Sequence, residues 1–383
     1  MGKTVVKNVI KPVVLKEGSF GKRDLAKIKT TKIWQMCDLY KEQLEELFEM
    51  LYASEKDNKI KLSQFLKERL DPNPNLRGTW VYFPWRKILI HMLNEKDYFI
   101  LRTNRNRELI TLKEQKQLKN FTIGIAGLSI GSNIALASVH LGASQNLKIA
   151  DFDNLATSNL NRVIFGLPEI GKNKAQLTAQ KLYEINPFIN LRVFDKGLTR
   201  ETLDDFVSKQ PKLNLVIDEI DDFEIKVRIR LMARKEMIPV LMVTSLGDGC
   251  LIDVERYDID PKMKLFNGFL GNLSDKILKS KLTEEEKKKF AAQLVGIENI
   301  PTRALKSLLE IGKTLVGRPQ LVTTVSVGVG VAGFLARKIA LDEHCPSGRY
   351  LLHLRDAIFA NSSKAPYAED IGRKGIISQL MKG

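Results

Sequence analysis

Residues 127–132 read G-L-S-I-G-S, between an apolar run that stops at Ala126 and apolar positions at helical spacing from Asn133. Glycines in such a turn let backbone N–H groups approach an anion, and the amino end of the following helix adds positive potential. A plain tight turn would leave the same residues. Asp151 stands twenty residues after Gly131, closing the run Leu147 to Ala150, where a carboxylate can accept hydrogen bonds from ribose hydroxyls. Arg162 follows, then Lys174 twelve residues further on. A dinucleotide kept for redox chemistry is held mostly by backbone amides, whereas two cations suit a triphosphate whose charge builds as pyrophosphate departs. Asp218, Glu219, Asp221 and Asp222 complete the set at the end of another apolar run, Leu213 to Ile217. Carboxylates beside phosphates commonly hold magnesium, although an acidic turn that caps the next helix has the same composition.

These residues need a scaffold that brings them to one edge. Strand 121–126, glycine turn, helix 133–141 and strand 147–150 make a βαβ unit, which demands a parallel sheet. Alternation continues with helix 174–185, strand 191–194, helix 200–208, strand 213–217, helix 224–234 and strand 238–243. The expected class is therefore α/β, a Rossmann-like, largely parallel, doubly wound sheet, with ligands at the carboxyl ends of its strands. Beyond Gly249 the pattern predicts one more strand at 251–257, a charged helix at 281–289 and a long buried helix at 321–340. Upstream, residues 1–40 hold nine Lys/Arg against three Asp/Glu, and Leu39, Leu44, Leu47, Phe48 and Leu51 recur at helical steps. The DPNPN run at 71–75 breaks that pattern and marks a boundary, with a further helix expected at 86–94.

The string D-F-D-N-L-A-T-S-N-L-N-R, Asp151 to Arg162, resembles the D-x-D…S-N-L-x-R signature of ThiF/MoeB adenylyltransferases, which are related to the adenylation domains of ubiquitin-activating enzymes. Collinear matches support it: N-R-E at Asn106 to Glu108, G-K-N-K at Gly171 to Lys174, I-N-P at Ile185 to Pro187 and I-D-E-I-D-D at Ile217 to Asp222. Longer strings, among them Y-F-P-W and D-V-E-R-Y-D, resemble a bacterial molybdopterin-biosynthesis-like ThiF subgroup. The resemblance implies that Gly127, Ser129, Gly131 and Ser132 seat the nucleotide and that Asp151 holds its ribose, with Asp153 nearby. Asn159, Arg162 and Lys174 would contact the phosphates of ATP, and Asp221 would bind Mg2+. Arg107 would reach into the active site of the other subunit of a homodimer, joining Arg162, Lys174 and Asp221 in the catalytic set. The implied reaction is attack of a carboxylate on the α-phosphate of ATP. The carboxylate expected is the C-terminal glycine of a ubiquitin-like or sulfur-carrier protein. A tRNA-modifying relative, similar to threonylcarbamoyladenosine dehydratase, and a nucleotide-binding scaffold without turnover are the alternatives. On this reading residues 1–75 form a basic lead-in and helical extension. Residues 76–383 form the adenylation domain, with a nucleotide core at about 100–250 and a crossover and helical part at about 251–383. The chain departs from the family in its sparse glycines, in Val163 and in Asp222. It lacks the family's paired CxxC motifs, so no zinc is expected.

Composition narrows the classes. With 383 residues, 44% hydrophobic and 28% charged, the chain has a globular balance that excludes disorder and collagen. The apolar stretch 321–336 is shorter than a membrane span and carries Thr, Ser and Gly, and the Lys-bearing start has no apolar core of a signal peptide. A cytoplasmic protein without membrane contact is expected. Cys37, Cys250 and Cys345 stand far apart, as do His91, His140, His344 and His353, which argues against a disulfide framework or a metal cluster. Cys250, near the crossover, is expected as a small buried residue rather than a thioester nucleophile. The net charge of +16 draws phosphate-bearing partners and would suit tRNA.

Overall fold

The computed structural model describes residues 11–143, 145–271, 273–279, 282–359 and 372–382. The chain forms two compact units: Met1–Asn120 with Ser138–Gln145 and Gln176–Asn190, and Phe121–Ala137 with Asn146–Ala175 and Leu191–Gly383. In the first, β1 (Val13–Lys16), β2 (Gln35–Asp38), β3 (Thr79–Phe83) and β4 (Ile88–Met92) form one sheet in the order β1-β3-β4-β2. β3 runs antiparallel to β1 and β4, and β2 runs parallel to β4. Its helices are α1 (Lys22–Lys29), α2 (Tyr40–Leu51), α3 (Lys59–Leu70), α4 (Glu95–Thr103) and α5 (Leu112–Asn120). Leu44, Leu47 and Phe48 of α2 pack with Phe65, Leu93 and Leu101. Asn58 and Asn94 cap α3 and α4 by accepting from Lys61 N and Asp97 N.

Two expectations change here. The DPNPN turn lies inside this unit, because β1 and β2 before it pair with β3 and β4 after it. The segment expected as a helix at 86–94 carries β4 instead: I-L-I-H-M is rich in β-branched residues and satisfies the ladder of β3. The amino-terminal extension is thus a helix-and-sheet unit. The first ten residues of the basic lead-in lie outside the described residues.

The second unit is built on β5 (Ile123–Ala126), β6 (Asn146–Ala150), β7 (Asn190–Phe194), β8 (Leu215–Asp218), β9 (Val240–Leu246), β10 (Gly249–Glu255) and β11 (Gly348–His353), in the order β11-β10-β9-β8-β5-β6-β7. The neighbours β6, β5, β8 and β9 pair in parallel, whereas β10 is antiparallel to both β9 and β11. The strand expected at 251–257 is β10, and the part expected to be crossover and helices adds a further strand, β11, to the same sheet. The chain leaves β5 toward β6 and β7, then returns to β8 and β9 on the other side. The carboxyl ends of β5 and β8 thus form the topological switch where open sheets bind ligands. The helices from here on are α6 (Ile130–His140), α7 (Lys174–Ile185), α8 (Leu203–Val207), α9 (Phe223–Lys235), α10 (Leu273–Lys279), α11 (Glu284–Val295), α12 (Thr302–Glu310), α13 (Val322–Ala340), α14 (Leu354–Ile358) and α15 (Arg373–Lys382), of which the end of α6 from Ser138 and α7 from Gln176 belong to the first unit. Every residue of β5 and β8 is buried. Lys148 breaks the apolar run of β6 because its Nζ donates to Asp205 O and Lys209 O near the end of α8, and burial pushes its pKa down to about 8.

Helix α13 forms where it was expected, to within one residue, but is not buried all round. Its 19 residues make it the one helix among the described residues long and apolar enough to cross a membrane by length and composition. One face packs on the sheet: a Cβ on Gly328 would stand 2.8 Å from Val243 Cγ1, and Thr324 Oγ1 donates to Gly247 O. The other leaves Val322 and Phe334 about half exposed, at 51% and 49%.

A buried charge network fixes the end of β8. Asp218, fully buried, accepts from Lys226 Nζ at 2.9 Å and from Arg230 Nη1, and Arg230 Nε donates to Glu255 Oε2 at 2.6 Å. Tyr257 Oη and Phe266 N donate to the other oxygen of Glu255. The Arg230 guanidinium also lies 3.9 Å from the centre of the Phe266 ring. Burial alone would raise the Asp218 pKa, but Lys226 and Arg230 outweigh it and hold the carboxyl below its ordinary range. Asp218→Ala should therefore lower unfolding stability by about 3–5 kcal/mol, since it leaves buried Lys226 without its carboxylate and Arg230 with Glu255 alone. Denaturant titration measures it, and a loss below about 1 kcal/mol, as for an exposed ion pair, would show the network to be dispensable.

Candidate functional site

Gly127 takes φ +88° directly after β5, and its N–H donates to Ala150 O at 2.9 Å. A Cβ there would stand 2.2 Å from Glu219 O, so both backbone conformation and contact demand glycine. The turn is thereby pressed against the loop that leaves β8. Asp151, at the end of β6, accepts from Leu128 N at 2.6 Å through Oδ2 and from Asp153 N at 2.7 Å through Oδ1. Each of its oxygens thus serves the backbone while keeping further acceptor capacity. Burial raises its pKa, against the pull of those two N–H donors and of Lys174. Ser132, fully buried, donates its hydroxyl to Ser129 O at 2.9 Å inside the turn. Ser129 Oγ, in contrast, is buried with no hydrogen-bond partner.

The segment after Asp151 carries the cations. Lys174 opens α7, is 8% exposed at its side chain, and meets Asp153 twice: Nζ to Oδ2 at 2.9 Å and backbone N to O at 2.9 Å. Asn159 closes a short turn by accepting from Ala156 N. Arg162 Nη1 donates to Ser158 O at 3.0 Å and to Asn161 Oδ1 at 2.8 Å, while its Nε is buried without a partner. Burial lowers the pKa of this guanidinium. Asn133 of α6 donates to Arg162 O at 2.9 Å and ties the arginine loop to the helix that follows the glycine turn. Sequence reading missed Asn133, because an asparagine in the first turn of a helix gives no signal of a long-range partner. Contacts thus join Asp151, Asp153 and Lys174 to the turn at Leu128, while Arg162 is tied separately, through Asn133, to the helix after the turn.

The acidic cluster resolves into separate roles. Asp218 belongs to the buried network, and Asp222 caps α9 by accepting from Ile225 N at 2.9 Å. Only Asp221 stays exposed and outside both tasks. Glu219 is partly buried beneath the turn and accepts from Val243 N at 2.9 Å, and burial pushes its pKa up to about 8. Among the described residues, no three His, Cys, Asp or Glu side chains gather as a metal cluster. Cys250 is fully buried in β10, opposite Ser245 and Leu352, where burial raises its thiol pKa. Arg107 lies in the first unit, half exposed, 3.6 Å from Glu108.

A parallel sheet with a glycine turn at its switch point, an acid closing the next strand and cations beyond it defines a Rossmann-like nucleotide-binding architecture. The chain belongs to the ThiF family, whose profile matches residues 102–327. An uncharacterized protein of Mycobacterium tuberculosis is 36% identical over 291 residues, which cover 75% of this chain and 40% of that relative. The molybdopterin-synthase adenylyltransferase of Haemophilus influenzae is 24% identical over 217 residues, covering 56% of this chain and 84% of its own. The tRNA threonylcarbamoyladenosine dehydratase of Escherichia coli is 30% identical over 138 residues, covering 36% and 49%. Among solved structures, E. coli MccB with MccA-N7isoASN has a TM-score of 0.47 at 15% identity, covering 81% of this chain and 84% of that one.

Glu219 gives a pH test. A carboxyl whose pKa is raised from its ordinary value of 4.5 to about 8 keeps its proton in the folded state while the unfolded chain ionises. Its contribution to stability therefore falls as pH rises through that window and levels off above it. Glu219→Gln should match the wild-type melting temperature near pH 4.5 and exceed it by a margin that widens toward pH 8, on the order of a few degrees. A constant difference across the range would show that Glu219 is ionised in the folded protein.

Proposed function

We propose that the protein is an ATP-dependent adenylyltransferase that converts a carboxylate into an acyl adenylate. The observation that carries this reading is the pair of buried, unpartnered donors, Ser129 Oγ in the glycine turn and Arg162 Nε on the loop that Asn133 ties to the helix after that turn. Buried polar groups in native proteins are nearly always satisfied, so orphaned donors here call for an anionic or polyhydroxy ligand. Asp151 would receive the ribose hydroxyls through its remaining acceptor capacity, and the turn N–H groups, Ser129, Arg162 and Lys174 would receive phosphate oxygens. A substrate carboxylate oxygen bonds to the α-phosphorus, the bond to the bridging oxygen breaks, and pyrophosphate leaves with the electron pair. No protein nucleophile is required. The chain's contribution is to position the reactants and stabilise developing charge.

For magnesium the donor set fits in a limited way. Mg2+ is commonly bound by one or two carboxylates together with substrate phosphates and water, and Asp221 is the exposed carboxylate available for that place. The ion would supply neutralisation of triphosphate charge when bound. We take the acyl substrate to be the C-terminal glycine of a ubiquitin-like or sulfur-carrier protein, in line with the adenylyltransferase names of relatives. The charge of +16 and the dehydratase relative favour tRNA as the second reading. Arg107 would act from a partner subunit of a homodimer.

The deciding experiment is ATP–pyrophosphate exchange with carrier proteins, small acids and tRNA supplied separately. Exchange should require ATP and magnesium and be undisturbed by NAD; inhibition by NAD at comparable concentration would sink the triphosphate reading. Asp221→Asn should slow exchange on the order of 10²-fold or more, as for loss of one preorganised electrostatic group. Wild-type exchange in that variant would reduce Asp221 to a surface residue. Arg107→Ala and Asp221→Ala, each inactive alone, should recover about a quarter of sites on subunit mixing if two-fold dimers share active sites. No recovery after verified exchange of subunits would place Arg107 in its own chain's site or outside catalysis.

A further inference from the structure

Three chain segments converge on the side chain of Asn173. Its Nδ2 donates to Asp195 O at 3.1 Å, Asp151 O at 3.3 Å and Asp153 O at 3.4 Å. Two N–H groups serve three carbonyls, so at least one is shared. All three partners are acceptors, which fixes the orientation of the amide. Around it, residues 151–155 and 171–174 run as a short ladder: Asn154 bridges Asn173 in antiparallel fashion, Leu155 N donates to Lys172 O, Gly171 N to Leu155 O, and Lys174 N to Asp153 O. The carboxyl end of β6, the residue after β7 and the start of α7 are therefore joined at one nitrogen.

We infer that Asn173 is a positioning residue for the nucleotide: its amide locks the strand end that carries Asp151 to the segment that presents Lys174. The inference rests on the adenylyltransferase reading for the identity of the ligand, and on the contacts above for the lock itself. Asp151 can hold a ribose only if its backbone is fixed, because the same carboxylate also orders Leu128 N and Asp153 N. Lys174 is bound to the same segment through two contacts with Asp153. Displacements of about 1 Å in such groups are enough to cost a large factor in binding and rate. A carboxylate in place of the amide would face three carbonyl oxygens and repel them, although its shape is the same.

The test uses the full chain and ATP as the probe, with affinity read by calorimetry. Asn173→Ala and Asn173→Asp should each weaken ATP about tenfold or more, whereas in a Lys174→Ala background Asn173→Ala should cost less than about threefold, since coupled residues do not add. Hydrogen exchange of the ligand-free protein gives a readout independent of ATP. Asn173→Ala should lose protection at Leu128, Asp153 and Lys174 amides while β5 and β8 stay protected. Fully additive losses of affinity, or unchanged exchange at those three amides, would overturn the inference. If wild-type protein shows no ATP binding, the adenylyltransferase reading falls, and the positioning role for a nucleotide with it. The exchange pattern would then show the lock to be purely a device of the fold.

Discussion

Charge buried without water is the constraint on which the second unit depends. Asp218 at the end of β8 has two cations from α9, and one of them, Arg230, is shared with Glu255 of β10. Removing any one member leaves another uncompensated in a low-dielectric interior, so the four side chains form or fail together. Because Asp218 Oδ1 also accepts from Ile220 N, the network sets the course of the loop that follows. Against that loop rests Gly127, with its missing Cβ. The position of the glycine turn is thus inherited from an ion network on the neighbouring strand.

A second carboxylate carries the order onward. Asp151 turns one oxygen to the glycine turn and the other to its own strand exit, so β5, β6 and the Lys174 segment share one anchor. Both anchors lie at the carboxyl edge, where the parallel strands end. Their backbone groups there have lost sheet partners and are free to order loops. The cations follow on segments tied to their neighbours by side-chain amides: Asn133 holds the Arg162 backbone, and Asn173, just ahead of Lys174, holds the backbone of Asp151, Asp153 and Asp195.

The sequence made the parallel core legible because apolar runs interrupted by helical spacing have few alternative folds, and Lys174–Ile185 begins and ends where the period says it should. The family resemblance supplied the expected roles of Asp151, Arg162 and Lys174. Local pattern could not show which of four neighbouring acids is consumed by structure. Asp218 and Asp222 differ from Asp221 only in partners that come from α9, either across the fold or in its first turn. The same limit applies to β4, whose ladder partner β3 overrides a segment with no clear period of its own, and to β1 and β2, short strands hidden in a basic stretch. Asn133 and Asn173 were silent for a related reason: an amide's function lies in where its acceptors are.

The pairing of Lys174 with Asp153 has a consequence for selectivity. A lysine already matched by a carboxylate at 2.9 Å gains little from trading it for another monovalent anion, because one charge-assisted hydrogen bond replaces another. A small free anion thus gains almost nothing from the exchange. On the adenylyltransferase reading proposed above, a polyanion long enough to reach Lys174, Arg162 and the glycine turn together would set several new contacts against the Asp153 contact it displaces. A site built this way would count charges along a ligand rather than sense charge as such, and its discrimination would grow with ligand length.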